Sequence, residues 1–155
     1  MTDYAMIREQ VKGLAEASTD YVPLFSNVSA ILYEQLPDLN WAGFYLMDKG
    51  CLLVGPFQGK AACIRIQLGK GVCGTAAAED RIIRVEDVHE FPGHIACDAA
   101  SNSEIVVPLH GKEGVVGVLD IDSPKKNRFS EADEEGLAGL GALLDQITDF
   151  SRLSI

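Results

Sequence analysis

Three acidic residues, Glu104, Asp120 and Asp122, stand at the ends of two apolar runs, 105–109 and 115–121. Both runs read as strands, and the polar stretch 111–113 turns one back on the other. Strand side chains alternate between faces, so Asp120 and Asp122 share a side, and the turn brings Glu104 near Asp120. Crowded carboxylates repel, which raises the pKa of at least one. Such a group suits a general acid or a seat for an ammonium ion. The same pattern also arises where strand ends simply meet water, and spacing alone leaves both readings open.

Two further sets of residues carry chemistry. Trp41, the only tryptophan, and Tyr45 are four apart in a strand-like run, so they share a face. They form either a sheet-face pair or the wall of a pocket for a small cationic or thioether ligand. Cys63, Cys73 and Cys97 form the third set, with His89 and His94 close to Cys97 in sequence. Structural zinc sites usually pair cysteines about two to four residues apart. Here the separations are far wider, so no metal is expected and redox work fits better. Cys73 falls at a helix start, where a thiolate is stabilised. Cys97 falls in a loop open to a substrate. Cys51 opens a short apolar strand and reads as a small core residue.

The surrounding elements must hold these residues together. Tyr4, Ile7, Val11 and Leu14 mark one amphipathic helix, and Leu24, Val28, Ile31, Leu32 and Leu36 mark a second beginning near Pro23. Strands follow at 41–47, 51–54 and 63–68, a short helix at 75–79 and a strand at 81–85. Residues 86–103 show no periodicity, as expected of a loop that serves a site. Pro108 predicts an edge or a break in its strand. Ser130 caps a last helix carrying Leu137, Leu140, Leu144 and Ile147. Gly69-Lys70-Gly71-Val72-Cys73-Gly74 matches a dinucleotide fingerprint, but the chain lacks the strand–helix–strand units that motif requires. These glycines read instead as a tight helix entry. The order predicts an α+β sandwich with a mostly antiparallel sheet.

Composition bounds the partners. The 155 residues suit one domain spanning 1–155, and 47% are hydrophobic, enough for a sizeable core. A formal net charge of −10 argues against a nucleic-acid partner. No apolar run approaches the roughly 20 residues of a membrane span. The start carries no basic stretch followed by an apolar one, so a cytoplasmic protein is expected.

Four segments together resemble a known family: Gly55-Pro56-Phe57-Gln58-Gly59, Gly71-Val72-Cys73-Gly74-Thr75, the stretch from Gly93-His94-Ile95-Ala96-Cys97-Asp98 to Glu104, and Gly117-Val118-Leu119-Asp120-Ile121-Asp122-Ser123. They are similar to the free methionine-(R)-sulfoxide reductases, which are GAF-domain proteins. The resemblance implies a six-stranded antiparallel sheet with the terminal helices on one face and a ligand pocket on the other. It also implies a homodimer, thioredoxin as reductant and no cofactor. Cys97 takes the catalytic position, Cys63 that of the resolving partner, and Cys73 joins the redox exchange. Trp41, Tyr45, Glu104, Asp120 and Asp122 fall on the family's pocket positions, with Asp87 a weaker one. A GAF module that only senses a small molecule is the rival expectation.

Overall fold

The computed structural model describes residues 1–94 and 100–155. Its centre is a six-stranded sheet in the order β3-β2-β1-β6-β5-β4, with every neighbouring pair antiparallel. The strands are β1 (Trp41–Asp48), β2 (Cys51–Gly59), β3 (Arg65–Gln67), β4 (Ile83–Val85), β5 (Ser103–Gly111) and β6 (Gly114–Ser123). Period-two alternation sends successive side chains of each central strand to opposite faces. In β1, Ala42, Phe44 and Leu46 join one apolar core, while Trp41, Tyr45 and Met47 join another on the opposite face. In β5 and β6, Ile105, Val107, Leu119 and Ile121 lie with the first set. Glu104, Asp120 and Asp122 are therefore left on the second face.

Three helices seal the first face. These are α1 (Tyr4–Ala15), α2 (Tyr21–Gln35) and α4 (Glu131–Ile147). Each begins where a side chain satisfies a free backbone N–H. Asp3 accepts from Met6 N, Asp20 from Val22 N, and Ser130 and Asp133 cap one another's backbone in a capping box. Asp133 also accepts from Tyr4 Oη at 2.7 Å and from Arg128 at 3.1 Å, which ties α1 to the start of α4. Phe25 of α2 stacks on Phe44 with ring centroids 4.0 Å apart. No helix among the described residues is long and apolar enough to cross a membrane.

The fourth helix, α3 (Gly71–Glu79), lies on the other face and packs on β3, β5 and β6. Its entry explains the glycine-rich run: Gly69 and Gly71 adopt φ of +83° and +62°, and a Cβ on Gly74 would stand 2.4 Å from the Gln67 carbonyl oxygen. The run is a tight turn against β3, as its context in the sequence implies. At the far end of α3, the His110 ring joins Asp80 at 2.6 Å to Asp145 at 2.8 Å, linking α3, β5 and α4.

Some expected boundaries move. α3 starts at Gly71 rather than 75, β2 runs on through Gly-Pro-Phe to Gly59, and β3 keeps only Arg65–Gln67 of the expected 63–68. The supposed structureless stretch contains a 3₁₀ turn, Val88–Glu90, capped by Asp87. Pro108 lies beyond the end of β4, whose pairing with β5 reaches only Val106, so β5 is an edge there, as a proline requires. Cys51 is half-buried at the start of β2 rather than in the core, and its Sγ accepts from Arg65 at 3.2 Å.

Gly43 lies where β2 leaves no room for a side chain on β1. A Cβ there would lie 2.2 Å from Phe57 Cβ and 2.7 Å from its Cα, beside a register irregularity of the β1–β2 ladder. Gly43→Ala must push the strands apart, and overpacking of this kind costs about 1–3 kcal/mol. The expected result is a lower urea midpoint at an unchanged m-value; an unaltered midpoint would show that β2 yields freely here.

Candidate active site

The second sheet face and α3 enclose a cavity of about 50 Å³. Trp41 and Tyr45 of β1, Glu104 of β5, Asp120 and Asp122 of β6 and Cys73 of α3 line it, together with Ile66, Lys70, His94 and Ser101. Pairing register sets the acids in place. Asp122 lies opposite Trp41 on one side and Glu104 on the other, and Asp120 lies opposite Gly43 and Val106. With glycine opposite, no side chain of β1 stands directly across the ladder from Asp120.

The carboxyls are buried among their own kind. Glu104 and Asp120 are 7% and 5% exposed. Burial pushes the Glu104 carboxyl well above the usual carboxylate range, and the charge of Asp120 adds to it. Asp120 is raised likewise, first by burial and then by Asp122. Cys73 donates its thiol hydrogen to Glu104 Oε2 across 3.8 Å. Burial and the charges of Asp120, Glu104 and Asp122 push the Cys73 thiol well above its ordinary value. The expectation of a thiolate stabilised by the helix start is overturned, because the loss of water and three nearby acids outweigh the helix dipole.

Aromatic rings form the wall. The Trp41 ring stacks on Tyr45 with centroids 5.7 Å apart and on Phe57 at 5.0 Å. Trp41 Nε1 donates to the Lys60 carbonyl at 3.2 Å, and Tyr45 Oη donates to the Cys63 carbonyl at 3.1 Å. The latter bond holds the chain around Cys63 against the cavity. Burial and the neighbouring acids raise the Tyr45 pKa, so its hydroxyl stays a donor. His94 is shifted the other way, first by burial and then by His89, which favours the neutral ring.

The expected site residues divide as follows. Trp41, Tyr45, Cys73, Glu104, Asp120 and Asp122 all meet at the cavity. Cys63 is disulfide-bonded, whereas Cys51 and Cys73 are free thiols. Cys97 lies outside the described residues. Asp87 is a correction: it does not line the cavity, because its carboxylate caps the 3₁₀ turn through His89 N and pairs with Lys126 at 3.2 Å. Phe57 went unforeseen as backing for Trp41. Its signal was Gly43 in the middle of an apolar strand, a residue that marks close approach of another chain segment. Lys70 and Ser101 left no comparable trace.

Comparison with known proteins shows what the chain is similar to. The GAF domain family model matches residues 23–149. The free methionine-R-sulfoxide reductase of Escherichia coli is 52% identical over 96% of this chain and 92% of its own. The structure of fRMsr of Staphylococcus aureus in complex with substrate superposes with a TM-score of 0.90 at 44% identity, covering 96% of this chain and 97% of that one. Free methionine-R-sulfoxide reductase from Neisseria meningitidis, in complex with its substrate, gives a TM-score of 0.88 at 41% identity over 92% and 86% of the two chains. A family model over residues 23–149 and relatives of this identity and coverage place the chain in the GAF-domain family and, within it, among the free methionine-R-sulfoxide reductases.

Proposed function

We propose that this chain reduces free L-methionine-(R)-sulfoxide to L-methionine with electrons from thiols. The observation that carries the reading is the convergence of Glu104, Asp120 and Asp122 on a cavity walled by Trp41. A free amino acid brings an ammonium group, which needs carboxylates, and a sulfoxide oxygen, which needs a hydrogen-bond or proton donor. Two buried acids with raised pKa values and a third beside them can serve both needs at neutral pH. The indole face suits the methyl group on sulfur. The substrate complexes of the S. aureus and N. meningitidis proteins support the choice of ligand.

Cys97 is assigned the nucleophile. Its thiolate attacks the sulfoxide sulfur as an acid protonates the oxygen. The sulfur–sulfur bond so formed breaks again as the protonated oxygen leaves the substrate sulfur for Cys97, so that Cys97 becomes a sulfenic acid, oxidised by two electrons, and methionine, reduced by two, departs. The Cys63 thiol then attacks that sulfur, water departs and a disulfide forms. A dithiol of the thioredoxin class reduces it by exchange, restoring two thiols. Cys63 is already disulfide-bonded while Cys51 and Cys73 are free, which supports Cys97 as its partner. Cys73, buried and held protonated, enters exchange only when it ionises, so Cys63 carries the resolving step. In this reading the chain works as one domain, in a homodimer, in the cytoplasm.

Substrate form tests the reading directly. A blocked peptide-like substrate replaces the ammonium by a neutral amide and leaves a carboxylate without its partner, at a cost of about 2–5 kcal/mol. Free (R)-sulfoxide should therefore exceed N-acetylated, C-amidated (R)-sulfoxide by roughly 30-fold or more in kcat/KM. The free (S) epimer should fail, since inversion swaps oxygen and methyl between the acids and Trp41. Equal efficiency on the blocked substrate would move the function toward protein repair.

The thiol scheme makes a separate demand. Cys97→Ser should yield no methionine even in a single turnover. Cys63→Ser should yield one equivalent per subunit without reductant, then recycle poorly. A Cys97→Ser variant with normal single-turnover yield would remove Cys97 from the role of nucleophile.

The raised carboxyl pKa values also predict a pH signature. A group whose folded pKa exceeds its unfolded value favours the fold below the unfolded pKa, and this contribution is lost as pH rises through the folded pKa. Each unit of elevation corresponds to about 1.4 kcal/mol. Without substrate, Asp120→Asn should gain stability over the wild type as pH rises from about 4 to 8. Denaturant midpoints across that range measure it. Parallel pH dependences for the two proteins would show that Asp120 does not titrate with folding.

A further inference from the structure

We propose that Cys73, Glu104 and Asp120 form a binding site for a thiophilic divalent cation, Zn²⁺ foremost, seated in the wall of the substrate cavity. One donor atom from each residue lies within 4.8 Å of the other two, and all three residues are buried. Cys73 Sγ and Glu104 Oε2 are 3.8 Å apart. Zinc bonds of about 2.3 Å to sulfur and 2.0–2.2 Å to oxygen, at a tetrahedral angle, place such a pair roughly 3.5 Å apart. The Cys73–Glu104 pair is thus within a few tenths of an ångström of that spacing, and Asp120, within 4.8 Å of both, closes the site by side-chain rotation. The ligands come from α3, β5 and β6, so wide cysteine spacing, which argues against a structural zinc site, has no bearing on this one.

A second observation, the unmet hydrogen-bonding need of one of the three, also points to a cation. Asp120 Oδ1 is buried and, among the described residues, has no hydrogen-bond partner, and its side chain lines the cavity. A desolvated carboxylate oxygen without a donor is costly, and a bound cation removes that cost. The cavity beside it, about 50 Å³, has room for an ion with water in a fourth position, since one water needs roughly 10–15 Å³. The donor set selects the ion. Mg²⁺ and Ca²⁺ take six or more oxygens, whereas a thiolate with two carboxylates suits Zn²⁺ or Cd²⁺. Binding expels the thiol proton and any proton the two carboxyls hold. It also takes Glu104 and Asp120 away from substrate, so the ion acts as an inhibitor; this consequence alone rests on the proposed reductase activity.

Cadmium titration of protein with its Cys63 disulfide intact tests the site, read by the thiolate-to-cadmium ultraviolet band. Cys51→Ser serves as background, so Cys73 supplies the signal. One equivalent of Cd²⁺ should produce the band, Zn²⁺ should abolish it by displacement, and Mg²⁺ should not. Adding Cys73→Ser should remove the band, and adding Glu104→Gln instead should weaken binding by roughly tenfold or more, with the circular dichroism unchanged. No band in the background protein, or a band that survives Cys73→Ser, overturns the proposal. A second arm follows methionine formed in a single turnover by reduced wild type, without added reductant. Zn²⁺ should slow it in competition with free (R)-sulfoxide. Turnover that is normal and indifferent to saturating Zn²⁺ overturns the inhibitory role. Absence of turnover without metal instead defeats the reductase reading, and the titration still decides the metal site.

Discussion

The arrangement depends on a cluster of acids kept dry. Glu104, Asp120 and Asp122 project from neighbouring strands onto one face of the sheet, and α3 and the aromatic wall close over them. Charges so close, and so poorly solvated, cannot all be ionised at once. The cluster consequently holds protons at a pH where exposed carboxylates would have lost them. It is both a reservoir of acid and a seat for positive charge. The same crowding opposes folding, so the rest of the molecule must offset it.

That compensation lies on the opposite face. Strand alternation sends the remaining side chains of β1, β5 and β6 into an apolar layer under α1, α2 and α4, where Phe25 stacks on Phe44. Helix caps satisfy the exposed ends, and the Tyr4–Asp133–Arg128 network binds the first helix to the last. The strands that hold the acids are thus backed by a packed apolar layer. Stability is concentrated in one layer and chemistry in the other, with the strands shared between them.

Two glycines show how finely the shared strands are fitted. Gly43 leaves Asp120 free of a side chain across the ladder and lets Phe57 approach from β2 to support Trp41. Gly74 lets α3 approach the β3 backbone, which brings Cys73 to the acids. The helix start that carries Cys73 is therefore a packing device. Its dipole is overcome by the burial that the packing produces.

Local pattern in the chain was enough to place the terminal helices, the β5–β6 hairpin and the two faces of its strands, because periodicity and turn chemistry are short-range. It also placed Trp41 beside Tyr45 and Asp120 beside Asp122, since residues two or four apart on a strand must share a face. Motifs spread along the chain pointed to the family, and with it to the residue types of the pocket. What local pattern left open was whether the acids were buried or merely at strand ends. That depended on α3, which reaches the site through long-range packing, as does Phe57 behind Trp41. The same holds for Asp87, whose carboxylate is consumed by a turn the sequence did not reveal, and for Cys73, whose proton affinity is set by neighbours 31 to 49 residues away in the chain. Side-chain direction follows from the backbone period, whereas desolvation and proton affinity follow from what covers the side chain, and only the tertiary structure decides that.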